Sequence, residues 1–212
     1  MTNNPFLDRD LHTRLQFPTI SWSSYSAFTT NYPGQNKHTW YDKYVLGIRS
    51  KPNAAMKIGS IIGEKIALDP MYLPDVPRPE IYEQELFADF AGLKLTGHLD
   101  GWSPNKKELL EYKTAQSNKT WFPNKVNNHG QLDFYCLLIY LNFGIKPEEL
   151  SISLTHIPVT EQENFKIDVD HTRPIRTFPT TRTFNQIMLF GSELVKTHKE
   201  MVEFVKQKQV VV

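Results

Sequence analysis

The feature that most constrains this chain is a switch in hydrophobic period at Ile81. Before it, Ile58, Ile61, Ile62 and Ile66 recur at helical spacing and predict a helix over Ala54 to Leu68, closed by Asp69-Pro70. Four prolines between Asp69 and Glu80 then predict an extended surface connection. After it, the runs Ile81 to Phe90, Leu93 to Trp102 and Glu108 to Lys113 alternate, separated by Ala91-Gly92 and Ser103-Pro104-Asn105. That is the pattern of an antiparallel meander. Beyond a loop from Thr114 to Asn128, Gly130 to Asn142 has the apolar density of a helix laid on a sheet. Strands over Ser151 to Val159 and Asn164 to Val169 and an amphipathic tail from Phe184 to about Lys206 complete the reading. Helices before, between and after strands imply an α/β fold with a central mixed β-sheet flanked by helices.

The 212 residues, 40% hydrophobic and 22% charged, suit one globular unit. The aromatic segment Ser21 to Gly47 reads as two short helices, with Ser21, Ser23 and Ser24 as N-cap candidates. Its aromatics suit the core or, alternatively, base stacking. A net charge of +1 supplies no whole-molecule field, so contact with nucleic acid needs a local groove. Basic residues thicken after position 170, with Arg173, Arg176, Arg182 and several lysines; these form either a phosphate-facing surface or a solvated helix. The single cysteine, Cys136, cannot build a disulfide framework or an iron–sulfur cluster. A polar stretch from Met1 to Asp10, without an apolar run of membrane-spanning length, leads us to expect a cytoplasmic protein.

Ionisable residues stand inside apolar strand sequence at Gly97-His98-Leu99-Asp100 and Leu109-Leu110-Glu111-Tyr112-Lys113. Alternation along a strand turns Glu111 and Lys113 to one face and gives His98 and Asp100 a shared face. If the two strands are neighbours, two carboxylates and an ammonium converge. One reading is a salt-bridge cluster on a solvated face. The other is a divalent cation, Mg²⁺ or Mn²⁺, held by Asp100, Glu111 and the backbone carbonyl of Tyr112. In that case Lys113 orients the attacking water and offsets transition-state charge. Gln131 and Tyr135 share a face at the start of the next helix. Lys119, Trp121, Phe122 and Lys125 suit a path for a single strand or frayed end, or Trp121 simply plugs the loop onto the fold. Strand parity makes His98 a candidate to face the site. Glu83 and Glu85 read as edge or solvent-facing.

The series G-H-L-D-G-W, L-L-E-Y-K-T and G-Q-L-D-F-Y resembles the motifs of the PD-(D/E)xK nuclease superfamily, in particular its RecB-like and phage exonuclease-like branch. The resemblance spans roughly Ile20 to Asn142. It implies a restriction-endonuclease-like core in a single domain over 1-212: a helical N-terminal part (20-68), a catalytic sheet and helix (81-142), and a C-terminal hairpin and helix (150-208). It implies that Asp100 and Glu111 bind metal and that Lys113 is catalytic. Gln131 and Tyr135 would lie beside the metal and contact the DNA strand or order the site. Where the family often carries a metal-binding histidine after G-x-x-x, Gly59-Ser60-Ile61-Ile62 leads here to Gly63 and then Glu64, which is either a further ligand or a surface residue. The implied activity is Mg²⁺- or Mn²⁺-dependent hydrolysis of DNA, as an exonuclease of recombination, repair or replication, in a bacterial or phage-infected cell. Implied partners are single-stranded or duplex DNA ends and other recombination or replication proteins, with no membrane. The alternative is a catalytically silent nucleic-acid-binding or structural protein on the same fold. Such a protein ought to have lost a ligand, whereas Asp100, Glu111 and Lys113 are all present.

Overall fold

The computed structural model describes residues 19–30, 36–48, 54–116, 121–161 and 167–210. Lys119 and the start of the expected strand at Asn164 lie outside them. The alternating run at Ile81 forms β2 (Ile81–Phe90), preceded by a two-residue β1 (Thr19–Ile20), and turns into β3 (Leu93–Ser103). Both turn residues have positive φ, 49° at Ala91 and 83° at Gly92. Only a turn of that hand matches the twist of paired strands at two-residue length, and it sets the register from Phe90↔Leu93 to Ile81↔Trp102.

β4 (Glu108–Gln116) is antiparallel to β3 and parallel to β5 (Ser151–Glu161). β6 (Ile167–Val169) and β7 (Arg176–Thr180) both pair antiparallel with β5, completing a seven-stranded mixed sheet. The parallel step from β4 to β5 needs a crossover, supplied by α5 (Gly130–Phe143). This helix is apolar around its circumference because it lies between the sheet and α6 (Phe184–Val210). It ends at Gly144, whose left-handed φ of 69° lets its N–H reach Tyr140 at 2.8 Å. Gly97 permits its close approach: a Cβ there would stand 2.7 Å from Leu138.

On the opposite face, α3 (Ala54–Leu68) buries Ile58, Ile62 and Ile66 against Ile157, Val159 and Val169. The N-terminal helices α1 (Trp22–Thr29) and α2 (Lys37–Trp40), the latter continuing as a π turn over Tyr41–Val45, pack Phe28, Trp40 and Val45 on Met201 and Val205 of α6. Ser21 caps α1, accepting from Ser24 N at 3.2 Å, as its sequence position suggests.

Three expectations change. The stretch read as a loop from Thr114 to Asn128 continues β4 to Gln116 and forms a short helix α4 (Pro123–Asn127), because Thr114 to Gln116 find parallel partners on β5 and Pro123 opens a first turn. The C-terminal hairpin gains a third strand, β7, which tolerates Pro179 because it pairs with β5 alone. Arg182 is not on a phosphate-facing surface. It is 1% exposed, pairs with Asp133 and donates to the carbonyls of Val126 at 3.0 Å and His129 at 3.4 Å, buckling the α4–α5 junction to the end of β7. Among the described residues no helix is long and apolar enough to cross a membrane.

Candidate active site

β3 and β4 pair only from Gly101↔Leu110 to Ser103↔Glu108. Past Leu110, β4 remains paired with β5 while β3 does not follow, and the sheet forks. At the fork the N–H of Tyr112 donates to Asp100 Oδ2 at 2.9 Å, so a side chain takes a place normally filled by a strand carbonyl. A cleft of about 660 Å³ opens there, lined by Asp100, Tyr112 and Lys113 on the sheet and by Ser60, Gly63 and Glu64 on α3. Gly59 keeps the helix close, since a Cβ would lie 3.3 Å from Thr114 Oγ1.

Glu111 is fully buried at this fork, at 0% exposure. Lys113 Nζ pairs with its Oε1, while among the described residues no N–H or alcohol O–H reaches Oε2. The Asp100 carboxyl stands within hydrogen-bonding range of the Glu111 carboxyl. Burial, reinforced by Asp100, pushes Glu111 up to about 8. Burial also raises Asp100, against the pull of Lys113. For Lys113, burial disfavours the ammonium, but Glu111 and Asp100 outweigh it and hold its pKa above the ordinary lysine value. Two facing carboxyls with one ammonium, and one buried oxygen without a donor, leave room for further positive charge. The donor set fits a hard divalent cation: carboxylate oxygens of Asp100 and Glu111 and the Tyr112 carbonyl. Among the described residues no three of His, Cys, Asp and Glu converge as a self-sufficient cage, so water or substrate oxygens would have to complete the shell.

Lys113 is held from the other side as well. Its Nζ donates to Gln131 Oε1 at 2.8 Å, and Gln131 Nε2 donates to Tyr135 Oη at 2.8 Å. The helix pair expected from the sequence therefore meets the E-x-K strand through Lys113. Burial, then Glu111 and Asp100, raises the Tyr135 phenol, which stays neutral.

Glu64 reaches the same cleft from α3. His98 does not: it is exposed and pairs with Glu85 at 3.3 Å across the β2–β3 hairpin. Trp121 packs edge-on against His129 at 5.0 Å, with Lys125 Nζ 4.2 Å above its ring. His129 sits at the N-terminus of α5, and burial, followed by the charges of Lys113 and Arg182, pushes it down to about 3.

Glu83, read from the sequence as edge or solvent-facing, is exposed and also lines the cleft. Glu83 lies opposite Asp100 in the hairpin; its neighbours pair as Tyr82↔Gly101 and Gln84↔Leu99, while Glu83 itself, at φ 49°, drops out of the ladder. This left-handed backbone breaks the strand's alternation, and consecutive residues Tyr82 and Glu83 both line the cleft. Burial and then Asp100 raise its carboxyl. The available signal was the turn: counting back from Ala91-Gly92 sets position 83 against 100.

No protein-family model and no curated protein matches this sequence. Among solved structures, a phage-related exonuclease of Haemophilus somnus 129PT superposes with a TM-score of 0.55 at 13% identity, over 94% of this chain and 93% of that one. A protein described as an exonuclease of Eubacterium rectale gives 0.53 at 14% identity, over 100% of this chain and 88% of that one. The chain shares the fold of these two proteins, a central mixed sheet flanked by helices. At these identities the likeness extends to the arrangement of the sheet and helices, and the site rests on the residues described above.

Proposed function

We propose that this protein is a divalent-metal-dependent deoxyribonuclease of PD-(D/E)xK type, acting on strand ends in DNA recombination, repair or replication. The observation that carries the reading is the pair of facing carboxyls at the sheet fork, Asp100 and Glu111, with Lys113 locked between Glu111 and Gln131. Asp100, Glu111 and the Tyr112 carbonyl would hold Mg²⁺ or Mn²⁺, with Glu64 and Glu83 as the further acids of the cleft. Bound there, the ion would lower the pKa of a water nucleophile and polarise the phosphate.

The protein's own groups do the positioning. The Tyr112 N–H fixes the Asp100 carboxylate, and the closed packing around Glu111 keeps bulk water from its buried oxygens. Lys113 stays protonated and places a compact charge at the cleft, where it offsets charge growing on a phosphoryl oxygen. Gln131, anchored by Tyr135, restricts the lysine to that orientation. DNA is the substrate this chemistry serves.

The test is digestion of end-labelled single-stranded, blunt duplex and circular DNA with Mg²⁺, Mn²⁺ or chelator, comparing wild type with Lys113→Ala and Asp100→Asn. Metal-dependent degradation of linear DNA, with each variant slowed by roughly 10³-fold or more, is expected. Resistance of circles would establish attack from ends. Cleavage that survives chelation, or persists in both variants, would sink the assignment.

A further inference from the structure

We infer that Lys125 and Arg176, over a floor formed by His156, make a second phosphate-binding subsite beside Lys113, which holds a neighbouring phosphate of the bound strand. The inference rests on the nuclease reading above and extends it to how substrate is gripped.

Three adjacent strands bring the groups into line. Lys113 on β4 is the Cα partner of His156 on β5, and His156 is the Cα partner of Arg176 on β7. Cross-strand partners share a face, and two strand spacings put Lys113 and Arg176 about 10 Å apart at the backbone. Lys125 comes from α4, which packs against β7 and is tied to it by Thr180 Oγ1 donating to Asn127 Oδ1 at 2.8 Å. The buckle at Arg182 holds the same segment from below. The loop carrying Lys125 is therefore anchored at its base.

Among the described residues no carboxylate neutralises the charge here. Lys125 and Arg176 are both exposed, and neither makes an ion pair with a described carboxylate. Lys125 rests over the Trp121 ring, leaving its ammonium hydrogens directed to solvent and any incoming acceptor. Between the cations lies His156, 3% exposed, whose Nε2 has no partner among the described residues. The other ring nitrogen is turned to the Ala115 backbone, and both cations are near enough to act on the ring. With that nitrogen donating to Ala115, Nε2 of the neutral ring is an acceptor and turns donor to a phosphate oxygen only on protonation, which an anion held by the two cations favours. A backbone phosphate contacts cations in this way without regard to base, so the subsite contributes grip and alignment and no sequence preference.

The experiment measures binding of a fluorescein-labelled single-stranded oligonucleotide in chelator, across a salt series, by anisotropy. It compares wild type, Lys125→Ala/Arg176→Ala, the charge-keeping Arg176→Lys, and a control pair, Lys94→Ala/Lys199→Ala, that removes equal charge elsewhere. Each phosphate contact on a single strand contributes about 0.7 to the slope of log affinity against log salt, so the first double variant should lose about 1.4. Arg176→Lys and the control pair should keep the wild-type slope. An unchanged slope in Lys125→Ala/Arg176→Ala, an equal loss in the control pair, or no binding by wild type overturns the subsite. Adding Mn²⁺ to the same samples separates the two ideas. Cutting with an unchanged slope removes the subsite alone; a lost slope without any cutting in wild type removes the nuclease reading alone.

Discussion

Glu111→Gln should stabilise the metal-free protein at alkaline pH while abolishing cleavage. The Glu111 carboxyl is buried at 0% exposure, and burial, with Asp100 adding to it, raises its pKa from 4.5 to about 8. A folded pKa above the unfolded one means that the folded state holds the proton more tightly. The resulting penalty is absent below about pH 4.5, grows as pH rises through the window and is complete above about 8. At about 1.36 kcal/mol per unit the ceiling is on the order of 5 kcal/mol. Lys113 loses its nearest counter-charge in the variant, which reduces the net gain to roughly 1–3 kcal/mol. A chain of this length shifts by about 2–4 °C per kcal/mol, so the variant should melt roughly 3–10 °C higher near pH 8.5 in chelator and within a degree or so of wild type near pH 5. Added Mn²⁺ should raise the wild-type transition and leave that of the variant in place. Thermal unfolding of both proteins by circular dichroism under these three conditions decides the matter. A variant that melts lower than wild type at pH 8.5 in chelator would mean that the protein alone satisfies the Glu111 anion, and the argument that its charge awaits a cation would be refuted.

Two further outcomes concern the scaffold. Ala91 occupies a left-handed position at φ 49° in the β2–β3 turn, so Ala91→Asn should stabilise by about 0.5–1 kcal/mol, read as a higher urea midpoint with an unchanged slope. Arg182→Met strands Asp133 and the carbonyls of Val126 and His129, and should cost about 3–5 kcal/mol in the same assay. Arg182→Met/Asp133→Leu should recover part of that loss, because the uncompensated carboxylate is then gone.

The outcomes at Asp100, Glu83 and Arg182 mark where sequence reading succeeds and where it stops. The convergence of Asp100, Glu111 and Lys113 was legible because a charge embedded in an apolar alternating run is anomalous on local grounds, and strand parity assigns faces. Gln131 was legible as a partner on a helix face, yet its bond to Lys113 spans 18 positions and depends on the crossover that lays α5 under the fork. Glu83 is exposed, as an edge residue should be, yet it also lines the cleft, and only the register set by Ala91-Gly92 could have placed it opposite Asp100. Arg182 was misread as a surface cation. Its partner Asp133 lies 49 positions away on another element, so nothing in its own neighbourhood of threonines distinguishes a buried buckle from a surface cation. Local period thus assigns a side chain to a face of its own strand or helix, whereas the company it keeps is decided by topology. A candidate site assembled at a fork between two strands exposes both: its acids announce themselves along the chain, and the groups that aim and neutralise them become visible only when the sheet is closed.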